Sequence, residues 1–95
     1  MSSANFGSAK NTIAKSSFDD TKLSTAKSIL ASNCMSADQV AQVCGLFSFE
    51  ESKLAFAKFA YGRTTDPSNY FKVVNVFTFE SSKTDLNNFI SNGGR

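Results

Sequence analysis

Histidine and tryptophan are absent from this chain of 95 residues; proline occurs once, cysteine twice and glycine five times. Each scarcity excludes something. Without histidine there is no Ser-His-Asp or Cys-His arrangement, no imidazole ligand for a metal, and none of the side chain most used as a general base near neutral pH. One proline and five glycines fit neither a disordered segment nor a turn-rich all-β fold. The cysteines form no CxxC pair, and no glycine-rich phosphate loop is present. Cys34 falls just before a predicted helix and Cys44 well inside it, which separates them by roughly 12 Å along the axis. A disulfide needs Cα atoms within about 7 Å, so the two are expected to stay unbridged, with Cys44 in the core. A net charge of +2 is too small to point to nucleic acid or a membrane surface. No run approaches the roughly 18 apolar residues of a membrane span, and residues 1–17 hold no apolar stretch of the signal-peptide kind. The expectation is a soluble single domain over 1–95, with an ordered core at about 6–91 and a frayed tail at 92–95. No cofactor, metal, nucleic acid or membrane insertion is expected, and the compartment stays open.

What the chain does have is a phrase used three times. Ser17-Phe18-Asp19-Asp20-Thr21-Lys22 returns as Ser48-Phe49-Glu50-Glu51-Ser52-Lys53 and as Thr78-Phe79-Glu80-Ser81-Ser82-Lys83, with the phenylalanines 31 and then 30 residues apart. That period is the length of a helix-turn-helix unit in helical repeat proteins. The phrase reads as a helix start. Ser17, Ser48 or Thr78 is the expected N-cap, and Ser48 with Glu51 makes a capping box. Asp19, Glu50 and Glu80 then fall in the first turn, where the helix dipole favours negative charge. Each has a lysine three residues on, in a pair worth a few tenths of a kcal/mol. Phe18, Phe49 and Phe79 are expected to pack at the turn between helices, with Phe49 and Phe79 buried.

Periodicity and capping signals give six helices. The first covers about 3–15, capped by Ser3. The second covers about 18–32, with Leu23, Ala26, Ile29 and Leu30 on one face. The third follows Ser36, where Gln39 closes a capping box, and buries Val40, Val43, Cys44 and Phe47. The fourth covers about 49–61 and ends at Gly62. The fifth starts at Asp66-Pro67 and presents Tyr70, Phe71, Val73, Val74 and Phe77. The sixth covers about 79–91. Helix five is rich in β-branched and aromatic residues, as strands are. Its Asp-Pro start and the lack of any partner strand favour helix. The fold class is therefore all-α, five to six short antiparallel helices stacked as helix-turn-helix repeats.

Candidate functional residues are few. The adjacent pairs Asp19-Asp20 and Glu50-Glu51 suit acid-base chemistry or calcium in principle, but capping explains them. The chain is not expected to be an enzyme. Phe47, Phe49, Phe56, Phe59 and Tyr61 form the densest aromatic run, and a helix apolar nearly all round is either central or exposes a binding patch. Lys22, Lys53 and Lys83 occupy equivalent positions and can line one surface. The candidate interaction surface is therefore Phe56, Phe59, Tyr61, Arg63, Lys22, Lys53 and Lys83, with another protein or a peptide as the partner. The alternative is a structural or spacer domain of a larger secreted or surface protein, with no specific ligand.

The run Leu46-Phe47-Ser48-Phe49-Glu50-Glu51-Ser52-Lys53-Leu54-Ala55-Phe56-Ala57-Lys58-Phe59-Ala60-Tyr61, followed by Asp66-Pro67-Ser68-Asn69-Tyr70 and Phe77-Thr78-Phe79-Glu80-Ser81-Ser82, resembles the domain-of-unknown-function family numbered 4476. Phe18-Asp19, Lys22-Leu23, Ala26-Lys27, Gln39-Val40 and Val43 fit it too, so the likeness spans about residues 6–91. The resemblance implies a compact module the length of this chain, found in bacteria, often at the end of secreted or surface proteins, and in some eukaryotes. It implies no activity and brings no catalytic or ligand-binding residues.

Overall fold

Apolar residues three and four apart set each helix of the computed structural model, which describes residues 1–94. Helix α1 (Ser3–Ala14) buries Phe6, Ala9 and Ile13, and its N-cap is Ser2, one residue before the expected Ser3, with the Ser2 hydroxyl accepting from the Asn5 N–H at 3.2 Å. Helix α2 (Asp19–Leu30) buries Ala26 and Leu30. Helix α3 (Ala37–Cys44) carries the expected capping box: Ser36 Oγ accepts from the Gln39 N–H at 3.1 Å, and Gln39 Oε1 accepts from the Ser36 N–H at 3.0 Å. It buries Val40, Val43 and Cys44, the stripe read from the sequence, and Phe47 just beyond its end is buried as well. Helix α4 (Glu50–Tyr61) buries Phe56, Ala57 and Ala60. Helix α6 (Glu80–Ser91) is pinned by Leu86.

The fifth segment is helical but broken. A 3-10 turn at Pro67–Asn69 precedes a single α turn, α5 (Phe71–Val74). Asp66 does not cap its own turn. Its carboxylate accepts instead from the Ala37 N–H at 2.7 Å, across to the start of α3, and from Asn69 Nδ2 at 2.9 Å. Those bonds hold its carboxyl below the ordinary value, the Asn69 amide first. Tyr70, Val73, Val74 and Phe77 are buried as expected, whereas Phe71 points out. The Tyr70 hydroxyl donates to the Ala57 carbonyl and fixes the segment on α4.

Helix α4 is the hub, packed on α2, α3 and α6; α1 lies on α2, and α5 lies on α3 and α6. Lys27 Nζ, late in α2, stands 5.4 Å over the ring of Phe59, late in α4. Asp19, at the start of α2, meets the start of α4, so the two helices run side by side with their N-termini together. The core gathers Ile13, Leu30, Met35, Val40, Val43, Phe56, Tyr70, Val73 and Leu86, all fully buried. Among the described residues there is no strand; one backbone bridge joins Met35 to Thr64. Both cysteines are free, Cys34 exposed and Cys44 buried. At the C-terminus Gly93 and Gly94 take positive φ, and their N–H groups donate to Ile90 and Phe89 at 2.9 Å. A Cβ on Gly94 would come within 2.8 Å of the Tyr61 ring. These two glycines are therefore seated on the helix end, where a frayed tail was expected; Arg95 lies outside the described residues.

Candidate functional site

The repeated acid does not cap its own helix. The Asp19 carboxylate accepts from the Ser48 N–H at 3.0 Å and the Phe49 N–H at 2.9 Å, the two backbone groups leading into α4. The Glu50 carboxylate accepts from the Thr78 N–H at 2.8 Å and the Phe79 N–H at 2.9 Å, leading into α6. Each acid thus satisfies donors of the next copy of the phrase. Burial pushes both carboxyls up. The paired N–H groups, the hydroxyl of Ser52 or Ser82, and Lys22 or Lys53 outweigh it, so both sit below their ordinary values. Charge-assisted bonds of this kind are the stronger ones in proteins.

The chain leading into α4 and into α6 is held in this way from the preceding copy; among the described residues no acid does the same for α2, and no side chain caps any of the three helices. The N-cap residues of α2, α4 and α6 are Phe18, Phe49 and Phe79, all extended and none with a side-chain cap hydrogen bond. The helices begin one residue later than expected. That shift places each ring before the helix, where it points outward: Phe18, Phe49 and Phe79 are 75%, 68% and 59% exposed. This corrects the expectation that they pack at the turns. That packing job belongs to Phe47 and Phe77, which are only 4% and 3% exposed.

Two open clefts flank this edge. The first, of about 410 Å³, is lined by Phe18, Asp19, Asp20, Leu23, Phe49, Glu51, Ser52 and Ala55. The second, of about 370 Å³, is lined by Glu50, Glu51, Leu54, Phe79, Ser81, Ser82 and Asp85. Under the alignment of the repeated phrase, every residue of the second cleft is the counterpart of one in the first. Asp19, Asp20, Leu23, Phe49, Glu51, Ser52 and Ala55 become Glu50, Glu51, Leu54, Phe79, Ser81, Ser82 and Asp85. Among the described residues, no basic one lines either cleft.

The residues read from sequence as an interaction surface do not come together. Phe56 is fully buried, its ring centroid 5.7 Å from that of Phe47, and belongs to no surface. It falls on the same face of α4 as Ala57 and Ala60, which turns it into the core. Tyr61 is half-buried, edge-on to Tyr70 at 4.9 Å and to Phe89 at 6.1 Å. Phe59 and Arg63 lie at the far end of α4; Arg63 donates to the Ala31 carbonyl at 3.3 Å. Lys22 Nζ donates to the Leu46 carbonyl at 2.7 Å and so closes the end of α3. Of the expected acid-lysine pairs, Glu80 with Lys83 is an ion pair, at 3.6 Å. Lys53 sits near enough to Cys44 for its charge to act on the thiol, whose pKa burial pushes up to about 12.

A family model described as Domain of unknown function (DUF4476) matches residues 1–90. No curated protein and no solved structure matches the chain.

Proposed function

The chain belongs to the domain-of-unknown-function family DUF4476, and from that premise we propose that it is a non-enzymatic protein-binding module whose docking surface is the edge carrying Phe18, Phe49 and Phe79. One observation carries the reading. Phenylalanine stands at the N-cap of three helices, where Ser, Thr, Asp or Asn is preferred, and in each case the ring is exposed. A residue that breaks the local rule and gains no burial in return marks a site kept for something other than folding. The rings lie along neighbouring helices, so they act as one surface, and exposed aromatic rings are frequent binding anchors. The non-enzymatic part rests on how the reactive groups are used. The carboxylates of Asp19, Glu50 and Asp66 are bound to backbone N–H groups, and the Cys44 thiol is buried and protonated.

The test uses a random peptide library displayed on phage, selected on the wild-type chain. Each enriched peptide is then titrated against the wild type and the triple variant Phe18→Ser/Phe49→Ser/Phe79→Ser, which is expected to keep its fold, as amide spectra check, because each ring is more than half exposed. Enriched peptides are expected to shift amide resonances of residues 18–23 and 49–55. They should lose at least about tenfold in affinity on the variant, the equivalent of about 1.4 kcal/mol. Peptides that bind both proteins equally, or a library that yields none, would overturn the reading and leave a spacer domain.

A further inference from the structure

We infer that the occupant of this edge is an extended, polyproline-II-like segment of a partner protein carrying arginine at every third position. The inference rests on the edge being a docking surface and goes beyond it by naming what docks.

The first argument is charge. The chain is net positive at +2, yet among the described residues every charged one lining the two clefts is an acid: Asp19, Asp20, Glu50, Glu51 and Asp85. Asp19 and Glu50 are bound to backbone N–H groups, and Asp85 pairs with Lys58 at 2.8 Å. Asp20 and Glu51 remain, both exposed and without an ion-pair or hydrogen-bond partner among the described residues, and Glu51 lines both clefts. An exposed aromatic ring beside a free carboxylate suits arginine better than lysine. The planar guanidinium stacks on the ring face while its N–H fork meets the carboxylate in two bonds, and an ammonium does neither.

The second argument is spacing. The second cleft repeats the positions of the first, apart from that of Phe18, one helix further on, with an exposed ring and, among the described residues, an unpaired acid in each, and packed helices lie about 8–10 Å apart. A polyproline-II segment has three residues per turn and rises about 3.1 Å per residue, so its side chains recur on one side every 9 Å or so. A β-strand presents one face about every 6.6–7 Å, which misses the step. The same acids disfavour an anionic membrane surface, whose potential would repel them.

The probes are acetylated, amidated peptides titrated by amide NMR. The lead is three repeats of Arg-Pro-Pro; one control has the same composition with the arginines adjacent, a second has citrulline for arginine and a third has lysine. The lead is expected to shift resonances of 18–23 and 49–55 and to weaken at least fivefold with each control. It should also weaken with Glu51→Gln and with Asp20→Asn, both of which lie on the exposed surface. Equal binding of the citrulline peptide removes the charge argument, equal binding of the lysine peptide removes the stacking argument, and equal binding of the adjacent-arginine peptide removes the spacing. Failure of the lead at this edge, while library-selected peptides of another chemistry bind there, overturns the inference and spares the docking surface. If no peptide touches the edge, both fall. Sedimentation of the chain with phosphatidylcholine vesicles, lost in the triple phenylalanine variant, overturns the inference in favour of lipid.

Discussion

Phe47 and Phe49 stand two residues apart, as do Phe77 and Phe79, and within each pair the two rings have opposite fates. Phe47 and Phe77 close the connections that end α3 and α5 and are buried. Phe49 and Phe79 head α4 and α6 and face solvent. In an extended stretch successive side chains alternate in direction. Two residues on, the direction would repeat, yet here it does not. The difference comes from the backbone between them. The Ser48 and Phe49 N–H groups both turn toward the Asp19 carboxylate, and the Thr78 and Phe79 N–H groups toward that of Glu50. The acid fixes the direction in which the chain enters the helix, and that direction leaves the second ring outside. Residue type alone is therefore silent about burial; at Phe49 and Phe79 the outward direction goes with a hydrogen bond to a carboxylate of the preceding copy, whereas Phe18, which has no preceding copy, faces solvent without one.

The sharpest way to break this comparison is to truncate the rings. Phe47→Ala and Phe77→Ala are expected to destabilise the chain by about 3–5 kcal/mol, the cost of a cavity in a packed core. Phe49→Ala and Phe79→Ala, which remove exposed rings, should stay within about 0.5 kcal/mol. Denaturant melts of the four variants decide it. Equal costs within each pair would mean that the outward rings are packed in solution, and the docking surface would be lost with them.

A second, smaller effect belongs to the acids that create the difference. Asp19→Asn and Glu50→Gln each remove the charge from a carboxylate that holds two N–H groups. About 1 kcal/mol is expected at neutral pH, in the range of a lost helix cap, with Asp19 the costlier because it is the more buried. Both carboxyls titrate below their ordinary values of 3.8 and 4.5. Their contribution is therefore complete above those values and fades as pH falls through the lower, folded-state ones. Thermal midpoints measured from pH 6 down to pH 2 should fall for the wild type, and the Asp19→Asn/Glu50→Gln double variant should show a shallower fall. Parallel curves would show that the two acids do not control the helix starts.

Much of the fold could be read in advance, because its signals are local. The Ser36-Gln39 capping box is there as read, the buried stripe Val40, Val43 and Cys44 follows from spacing, and four of the long helices start or stop within one or two residues of expectation. The site was not legible, for a physical reason. Reading Ser17, Ser48 and Thr78 as N-caps is sound on local chemistry, but it moves each phenylalanine one residue into the helix and so into the core. In the second and third copies the bonds that accompany the shift join Asp19 to Phe49 and Glu50 to Phe79, 30 and 29 residues apart. No local pattern shows a contact at that range. The same holds for Asp66, whose carboxylate accepts from the Ala37 N–H, 29 residues away, as well as from the Asn69 side chain, rather than from a backbone N–H of its own turn. The one signal available was an oddity: three phenylalanines beside three good capping residues.

The smallest expected effect concerns the lysine that ends each phrase. Lys22, Lys53 and Lys83 are equivalent in sequence but not in what they touch. Lys22 Nζ donates to the Leu46 carbonyl at 2.7 Å in a partly buried setting. Lys83 meets Glu80 at 3.6 Å, on a side chain almost fully exposed. Lys22→Met and Lys83→Met keep most of each aliphatic stem and remove the charge. For Lys22 the loss is a hydrogen bond to a carbonyl at a helix end, where a positive charge is favoured, and about 1 kcal/mol is expected. For Lys83 the loss is an exposed ion pair, and under about 0.5 kcal/mol is expected. Raising salt should shrink the Lys83 difference first, because exposed pairs are screened over about 8–10 Å at ordinary ionic strength. Matched denaturant melts at low and high salt measure both. If the two lysines cost the same, position in the phrase would predict energetic role after all. The contrast between buried and outward phenylalanines would then be the exception within the repeat, whereas unequal costs extend to the lysines the lesson of Phe47 and Phe49: each copy of the phrase is read by the neighbour it meets.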